Sequence, residues 1–228
     1  MTLTIREHPV PAANRKTSKG TNARRYITVH ETANTGNGAD AAAHARLQAN
    51  GNSRKASWHW TVDDHEAVRS YEHTAICWHA GTGEGNAQSI GVEICVNADG
   101  NRTKALSNAA ELVAAIAREE RIPLANVVQH NRWSGKNCPT GVRAGQPMGW
   151  APFLAMVNSF ANPTTPPPAP PKDDDMTPDE IRQIIREEVG RAIGWTRAVA
   201  EDPALADTDP NAKRLADRAG HLNPERKG

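Results

Sequence analysis

The stretch "SIGVEICV", residues 89–96, alternates as a β-strand does. Successive side chains of a strand point to opposite faces of the sheet. One face is therefore aliphatic and consists of Ile90, Val92, Ile94 and Val96. The opposite face carries Gly91, Glu93 and Cys95, so the strand presents a carboxylate on the side away from its aliphatic face.

Further strands and helices alternate along the chain on both sides of this strand. Strands are predicted over residues 24–30 ("RRYITVH"), 57–64 ("SWHWTVDD") and 126–130 ("NVVQH"). Helices are predicted over residues 38–50, 106–120 and 152–160. Gly51 is placed to end the first helix, and the second turns Leu112, Val113 and Ile116 inward. This interleaving predicts an α/β fold with a mixed central β-sheet flanked by helices.

A boundary is marked by "NPTTPPPAPPKDDD", residues 162–175. Its prolines favour an extended chain and its aspartates repel one another, which is typical of a semi-rigid spacer. We therefore predict a main domain over residues 1–160, a Pro/Asp-rich linker over 161–175 and a small helical C-terminal module over 176–228.

The predicted module begins with a capping box. Thr177 stands at the N-cap, Pro178 at the first helical position and Glu180 three residues after the cap. An apolar stripe follows at helical spacing: Ile181, Ile184, Ile185, Val189, Ala192 and Ile193. The apolar side chains of this stripe need a partner that buries them. Three candidates remain open: the segment 211–223, a second copy of the chain, or a bound ligand.

Composition argues against several classes of protein. With 27 Lys and Arg against 26 Asp and Glu, the chain lacks the basic surface of a nucleic-acid binder. No run approaches the roughly 18 apolar residues of a membrane span. The first 20 residues lack the apolar core of a signal peptide, which predicts synthesis in the cytoplasm and another route of exit. Three cysteines are too few for a disulfide framework, so Cys77 and Cys95 are predicted to be thiols.

Three potential metal ligands stand near the ends of predicted strands. His30 ends one strand, and His130 ends another, eight residues before Cys138 in the loop "HNRWSGKNCP" (130–139). Two imidazoles and a thiolate match the preference of zinc, and three protein ligands leave a fourth position open, as in catalytic sites. The other histidines have simpler interpretations: His59 as a packed residue, and His8, His44, His65, His73 and His221 as solvated ones.

Four motifs occur together and in order: "YITVHETAN" (26–34), "ASWHWTVDD" (56–64), "CWHAGTGEGNAQSIGVEIC" (77–95) and "HNRWSGKNCP" (130–139). Over residues 20–160 the chain resembles the zinc-dependent N-acetylmuramoyl-L-alanine amidases of the type 2 amidase and peptidoglycan-recognition-protein family. It looks closest to the phage endolysins of that family. The resemblance implies a Zn²⁺ cofactor, bacterial peptidoglycan as the partner and hydrolysis of the amide between N-acetylmuramic acid and L-alanine.

The resemblance also implies roles for individual residues. His30, His130 and Cys138 match the metal ligands of the family, and Lys136 matches its catalytic lysine. Glu93 matches the catalytic acid of the phage-type subgroup. From the residues alone, a lone strand glutamate such as Glu93 is usually a surface carboxylate, and the alternative for Lys136 is a solvated loop lysine.

The same resemblance implies a substrate cleft. Other members carry a tyrosine where this chain has Trp58, which lacks a phenolic hydroxyl, so the proton chemistry is expected to shift to Glu93. We expect Trp58, together with Trp78, His79 and Gly81, to line the cleft.

These inferences predict an endolysin of a phage or prophage that acts on the cell wall after release. Three rivals remain: a non-catalytic peptidoglycan-recognition protein, a cytoplasmic amidase of cell-wall recycling, and a fold in which the zinc is only structural. For the C-terminal module, binding to the wall is the first expectation and self-association the second.

Overall fold

The computed structural model of the chain describes residues 3–162. The predicted linker beyond residue 162 and the predicted C-terminal module lie outside the described residues, as does His221. Among the described residues, no helix is both long enough and apolar enough to cross a membrane.

Eight strands form two sheets within residues 3–162. They are β1 (Thr4–Glu7), β2 (Thr17–Ser18), β3 (Tyr26–Glu31), β4 (Trp60–Val62), β5 (Glu66–Arg69), β6 (Ile76–Cys77), β7 (Ser89–Ile94) and β8 (Val127–Gln129). The larger sheet has the order β1-β5-β4-β7-β3-β8, and β2 pairs with β6 in a separate antiparallel ribbon. Only the β4–β5 pairing in the larger sheet is antiparallel. The predicted mixed α/β sheet is therefore confirmed.

Helices of very different length connect and cover the strands. They are α1 (Ala41–Ala49), α2 (Gly83–Gln88), α3 (Arg102–Glu119), α4 (Asn131–Ser134), α5 (Thr140–Arg143) and α6 (Trp150–Ala161), with short 3₁₀ turns at Ala12–Asn14 and Leu124–Asn126. The Asp40 side chain caps α1 by accepting from the Ala43 N–H at 2.7 Å. That helix stops before Gly51, which has a φ of 80°.

The alternation of the strands divides the core between two faces of the sheet. The aliphatic residues of β7 lie in one cluster with the buried sides of α3 and α6. On the opposite face, Cys95 and Val68 pack with Ala41 and Ala45 of α1. Because Glu93 belongs to the same alternating set as Cys95, its side chain lies on the α1 face.

The sequence predictions of these elements largely hold. The strand predicted over residues 89–96 is observed at Ser89–Ile94, and the predicted inward residues of α3 are buried. Each of the three cysteines is buried and free, as predicted for Cys77 and Cys95.

Three expectations were wrong. The segment 130–139 is not entirely a loop, because α4 occupies its first turn. His44 and His73 were expected to be solvated, yet both are buried. His44 bonds the Asp40 carbonyl oxygen, and His73 lies between the Trp60 indole and the Glu120 carboxylate. His73 is thus hydrogen-bonded at both ring nitrogens and His44 at Nδ1, and these bonds offset the cost of burying the imidazoles.

Candidate metal centre and active-site cleft

The register of three neighbouring strands places three functional side chains in one row. On β3, His30 is paired with Glu93 of β7. On the other side of β3, Val29 is paired with Gln129, and the next residue, His130, donates its N–H to the Val29 carbonyl oxygen at 3.2 Å. Since residues in register on parallel strands point to the same face, the three side chains lie side by side at the carboxyl ends of these strands.

Cys138 joins this row from the segment after α4. Its Sγ lies 3.8 Å from Nδ1 of His30, which is 3.0 Å from Nδ1 of His130. One donor atom from each of the three residues falls within 4.8 Å of the others, and all three side chains are buried. Two nitrogens and one sulfur at this spacing fit a metal ion that prefers such ligands.

The segment that carries Cys138 is held by Asn131. The Asn131 side-chain amide donates to the carbonyl oxygens of Gly135 and Lys136 at 2.9 and 3.0 Å. The backbone N–H of Asn131 donates to the carbonyl oxygen of Cys138. Gly135 has a φ of 73°, a conformation that glycine adopts without strain. The turn is thus built to bring Cys138 back toward His130.

Glu31 fastens the other side of the same segment, and the sequence interpretation missed it. Its carboxylate accepts from the N–H groups of Gly141 and Val142, at 2.6 and 3.2 Å, and pairs with the Arg102 guanidinium. A charged residue directly after His30, at the end of an apolar strand, was the signal available in the sequence. Glu31 therefore anchors α5, which follows Cys138, to the strand that carries His30.

Burial controls the charge of the three candidate ligands. It lowers the pKa of His30 well below its ordinary value, with further lowering by the nearby imidazoles, and it also lowers the pKa of His130. Burial raises the pKa of the Cys138 thiol to about 11. Neutral imidazoles keep a lone pair for a metal ion, and the positive charge of such an ion favours the thiolate.

Glu93 stands beside this cluster. Its Oε1 lies 4.0 Å from Nδ1 of His30, and its side chain is 16% exposed. Burial raises the pKa of the Glu93 carboxyl to about 7, with the positive charge of Lys136 acting against this rise. Among residues 3–162, neither Glu93 Oε2 nor His130 Nε2 has a hydrogen-bond partner, although both atoms are buried. These are two unsatisfied polar atoms at one site.

A single cleft of about 230 Å³ contains the cluster, Glu93 and Lys136. Its wall includes Trp58, Trp78 and His79. Gly81 lies against His130, since a Cβ placed on it would stand 3.4 Å from His130 Nε2. The arrangement places candidate metal ligands, a carboxylate and an ammonium group around one opening, a combination suited to the hydrolysis of a polar bond.

The family model described as N-acetylmuramoyl-L-alanine amidase (Amidase_2) matches residues 20–141, more than half of the chain. The chain belongs to this family. The matched region contains His30, Glu93, His130, Lys136 and Cys138.

Relatives within the amidase family support this assignment. The chain is 43% identical over 177 residues to N-acetylmuramoyl-L-alanine amidase CwlH of Bacillus subtilis (strain 168), covering 75% of this chain and 65% of CwlH. It is 54% identical over 116 residues to N-acetylmuramoyl-L-alanine amidase XlyA of the same strain, covering 50% of this chain and 39% of XlyA. The chain thus spans less than two thirds of the length of either relative.

The fold comparison gives the same family. The solved structure of a mutant endolysin from Bacillus subtilis is 43% identical, with a TM-score of 0.64, and the match covers 68% of this chain and 99% of that one. The sheet and helices described above therefore have the same fold as that solved structure.

Two tryptophans shape the cleft differently. Trp58 is buried, and its indole N–H donates to the Thr61 hydroxyl at 2.7 Å. Trp78 is half-buried, with its indole N–H on the Ser18 hydroxyl at 2.9 Å. Trp78 consequently offers more free aromatic surface to the cleft than Trp58 does.

The cleft also contains Arg54 and His44, which the sequence interpretation did not single out. Arg54 is exposed, and no sequence motif distinguishes it from other loop arginines. The burial of His44 follows from its position on the inner side of α1. Only the folded structure reveals that these two residues border the site.

Proposed function

We propose that this protein is a peptidoglycan hydrolase that cleaves the amide between N-acetylmuramic acid and L-alanine. The observation that carries this proposal is the row of Glu93, His30 and His130, completed by Cys138, beneath a cleft that Lys136 also lines. The names of CwlH and XlyA assign them the same activity, and the chain belongs to their family.

In this proposal His30, His130 and Cys138 hold one zinc ion. Their buried, closely spaced nitrogen and sulfur donors fit zinc, and three protein ligands leave a position open to the cleft. When bound, zinc polarises the amide carbonyl and makes water acidic enough to act as a nucleophile near neutral pH.

Glu93 moves the proton. Its carboxylate takes a proton from the attacking water and returns that proton to the nitrogen of the departing L-alanine. Burial favours the protonated carboxyl that the second step requires, and the positive charge of Lys136 favours the carboxylate that the first step requires. The partnerless Oε2 of Glu93 supports this role, since a structural carboxylate at this depth would be fully hydrogen-bonded.

Lys136 stabilises charge on the substrate. As the water attacks, negative charge develops on the carbonyl oxygen of the lactyl group. An ammonium group at the cleft can bind that oxygen, and one such donor contributes roughly 100- to 1000-fold in rate. The hydrogen bond from the Asn131 side-chain amide to the Lys136 carbonyl oxygen supports this assignment, because it limits the positions of the lysine backbone.

The remaining cleft residues contact the substrate in this proposal. Trp78 offers an aromatic face to the glycan or to the stem peptide, and Trp58 lines the same cleft. Gly81 leaves room beside His130. His79 lies in the wall, with both ring nitrogens hydrogen-bonded inside the protein.

The wider setting belongs to the same proposal. We infer a phage or prophage endolysin, made in the host cytoplasm and active on the cell wall after release. The main domain ends near residue 160, a linker follows over 161–175, and the module over 176–228 binds the wall or, as the second candidate role, mediates self-association.

The test is digestion of purified peptidoglycan followed by mass spectrometry of the products. The proposal predicts new N-terminal L-alanine together with glycan strands of undiminished length. Shortened glycan or cuts within the stem peptide would contradict it. Binding without cleavage would indicate a recognition protein, and activity only on small anhydromuropeptides would indicate a recycling amidase.

A further inference from the structure

We propose that His79 fixes the tautomer of His30, so that Nδ1 of His30 keeps its lone pair toward His130 and Cys138. His79 is thereby a positioning residue that acts through His30. The inference rests on the proposed function only for the identity of the ion that uses this lone pair.

The argument starts at the Ser89 carbonyl oxygen. Nε2 of His79 lies 3.2 Å from this oxygen. A carbonyl oxygen accepts hydrogen bonds and cannot donate one, so Nε2 of His79 carries the hydrogen. The carbonyl is itself held in place, because the Asn22 side-chain amide donates to it at 2.7 Å.

The hydrogen on Nε2 determines the other nitrogen of His79. Both His79 and His30 are buried, which disfavours a charged imidazolium. A neutral imidazole has one donor and one acceptor, so Nδ1 of His79 accepts. Its partner at 2.9 Å is Nε2 of His30, which must therefore donate.

The same rule then applies to His30. With the hydrogen on Nε2, Nδ1 of His30 has a free lone pair. That atom lies 3.0 Å from Nδ1 of His130 and 3.8 Å from Sγ of Cys138. In the opposite tautomer, Nδ1 of His30 would carry the hydrogen and point an N–H group into the ligand cluster. That hydrogen would have to leave Nδ1 before a metal ion could bind there.

The position of His79 is itself built into β7 and α2. Its ring lies over Gly91, where a Cβ would come within 2.7 Å of the His79 Cγ. Its backbone N–H donates to the Asn86 side chain at 3.0 Å. This contact gives Gly91 of the "IGVEI" strand a physical role, since any larger residue there would push the ring away from His30.

The test compares wild type with His79→Phe, His79→Asn and the control His73→Phe. His79→Phe keeps a flat ring and removes the acceptor, whereas His79→Asn keeps an oxygen near the position of Nδ1. His73 is an equally buried histidine with both nitrogens bonded, to Trp60 and Glu120. His73→Phe therefore controls for a general loss of stability.

Two readouts are needed. In metal-free wild-type protein, two-bond ¹H–¹⁵N NMR correlations should show the His30 proton on Nε2. In His79→Phe the Nδ1–H tautomer should appear, and zinc affinity, measured by competition with a chelator, should fall about 10- to 100-fold. His79→Asn should recover most of that affinity, and His73→Phe should keep it.

A wild-type spectrum with the His30 proton on Nδ1 would overturn the proposal, and this result does not depend on the folding of any variant. Equal losses of zinc affinity in His79→Phe and His73→Phe would overturn it as well. If wild-type protein bound no zinc, the proposed function would fail, while the metal-free spectrum would still decide the tautomer.

Discussion

Glu93 shows how position, more than residue type, decides what a side chain can do. A glutamate on a half-exposed strand is ordinarily solvated and has an ordinary pKa. Here the pairing of β7 with β3 places it next to His30, and burial raises its pKa to about 7. Residue 93 taken alone does not differ from other strand glutamates. Its position beside His30 on the neighbouring strand β3 sets it apart.

The first prediction concerns proton transfer. Glu93→Gln keeps the size of the side chain but cannot accept a proton at neutral pH, so hydrolysis should slow by about 100-fold or more. Zinc content should stay normal, since Glu93 is not among the proposed ligands. The measurement is the rate of wall lysis together with the metal content of the same sample.

Trp58→Phe is the matched comparison for this prediction. It removes one hydrogen bond to Thr61, worth about 1 kcal/mol of stability, and no titratable group. Its rate of lysis should fall far less than that of Glu93→Gln, because an aromatic ring remains in the cleft. A larger loss in Trp58→Phe than in Glu93→Gln would assign the proton chemistry to a different group.

At the scale of elements, the register of parallel strands assembles the site. The alternation in "SIGVEICV" predicts the face that carries Glu93, and the apolar run before His30 predicts a strand end. His30 and His130 are separated by 100 positions in the sequence, and the segment between them contains no local signal that β3 and β8 are neighbours. The four family motifs supplied that relation at the sequence level, and the contribution of Glu31 became visible only in the packed structure.

The second prediction tests the anchor formed by Glu31. Glu31→Gln replaces a carboxylate that accepts hydrogen bonds from two backbone N–H groups and pairs with Arg102 by a neutral amide. Because the buried ion pair is lost, the substitution should lower the free energy of unfolding by about 3 kcal/mol. Urea denaturation measures this change. Glu66→Gln is the control, because its ion-pair partner Arg6 is 52% exposed, and the pair should contribute less than about 1 kcal/mol. Equal losses in the two variants would refute the anchor.

The third prediction concerns α6, which packs with α3 on the face of the sheet opposite the site. Phe153 is fully buried there and stacks on Trp150 at 5.5 Å between ring centroids. Phe153→Ala should reduce the free energy of unfolding by about 3 to 5 kcal/mol. Ser159→Ala, on the exposed side of the same helix, should change it by no more than about 0.5 kcal/mol. A loss below about 1 kcal/mol in Phe153→Ala would show that α6 does not belong to the core.

At the scale of the whole molecule, the proposed catalytic residues and the core lie within residues 3–162. The sequence predicted the boundary from the prolines after residue 162, and α6 extends that prediction slightly, since the helix runs to Ala161. Composition predicts a boundary there because proline-rich sequence differs sharply from an amphipathic helix. It could not identify the partner of the predicted apolar stripe, because a stripe of aliphatic residues fits several partners equally well.

The fourth prediction follows from this organisation. A fragment of residues 1–162 should fold with a cooperative unfolding transition and should hydrolyse soluble muropeptides at a rate close to that of the full chain. If the module over 176–228 binds the wall, the fragment should be slower only on intact walls. An unfolded fragment, or equal losses on both substrates, would show that the domain boundary is wrong.

The central claim is that one zinc ion, held by His30, His130 and Cys138, is required for cleavage of the amide between N-acetylmuramic acid and L-alanine. It is tested most directly by stripping the protein with a chelator and titrating zinc back while amide cleavage is measured. Activity should vanish in the stripped protein and should return in proportion to added zinc, with saturation at one ion per chain. Cys138→Ala treated in the same way should recover no activity. Full activity in the zinc-free protein, or full recovery in Cys138→Ala, would contradict the account.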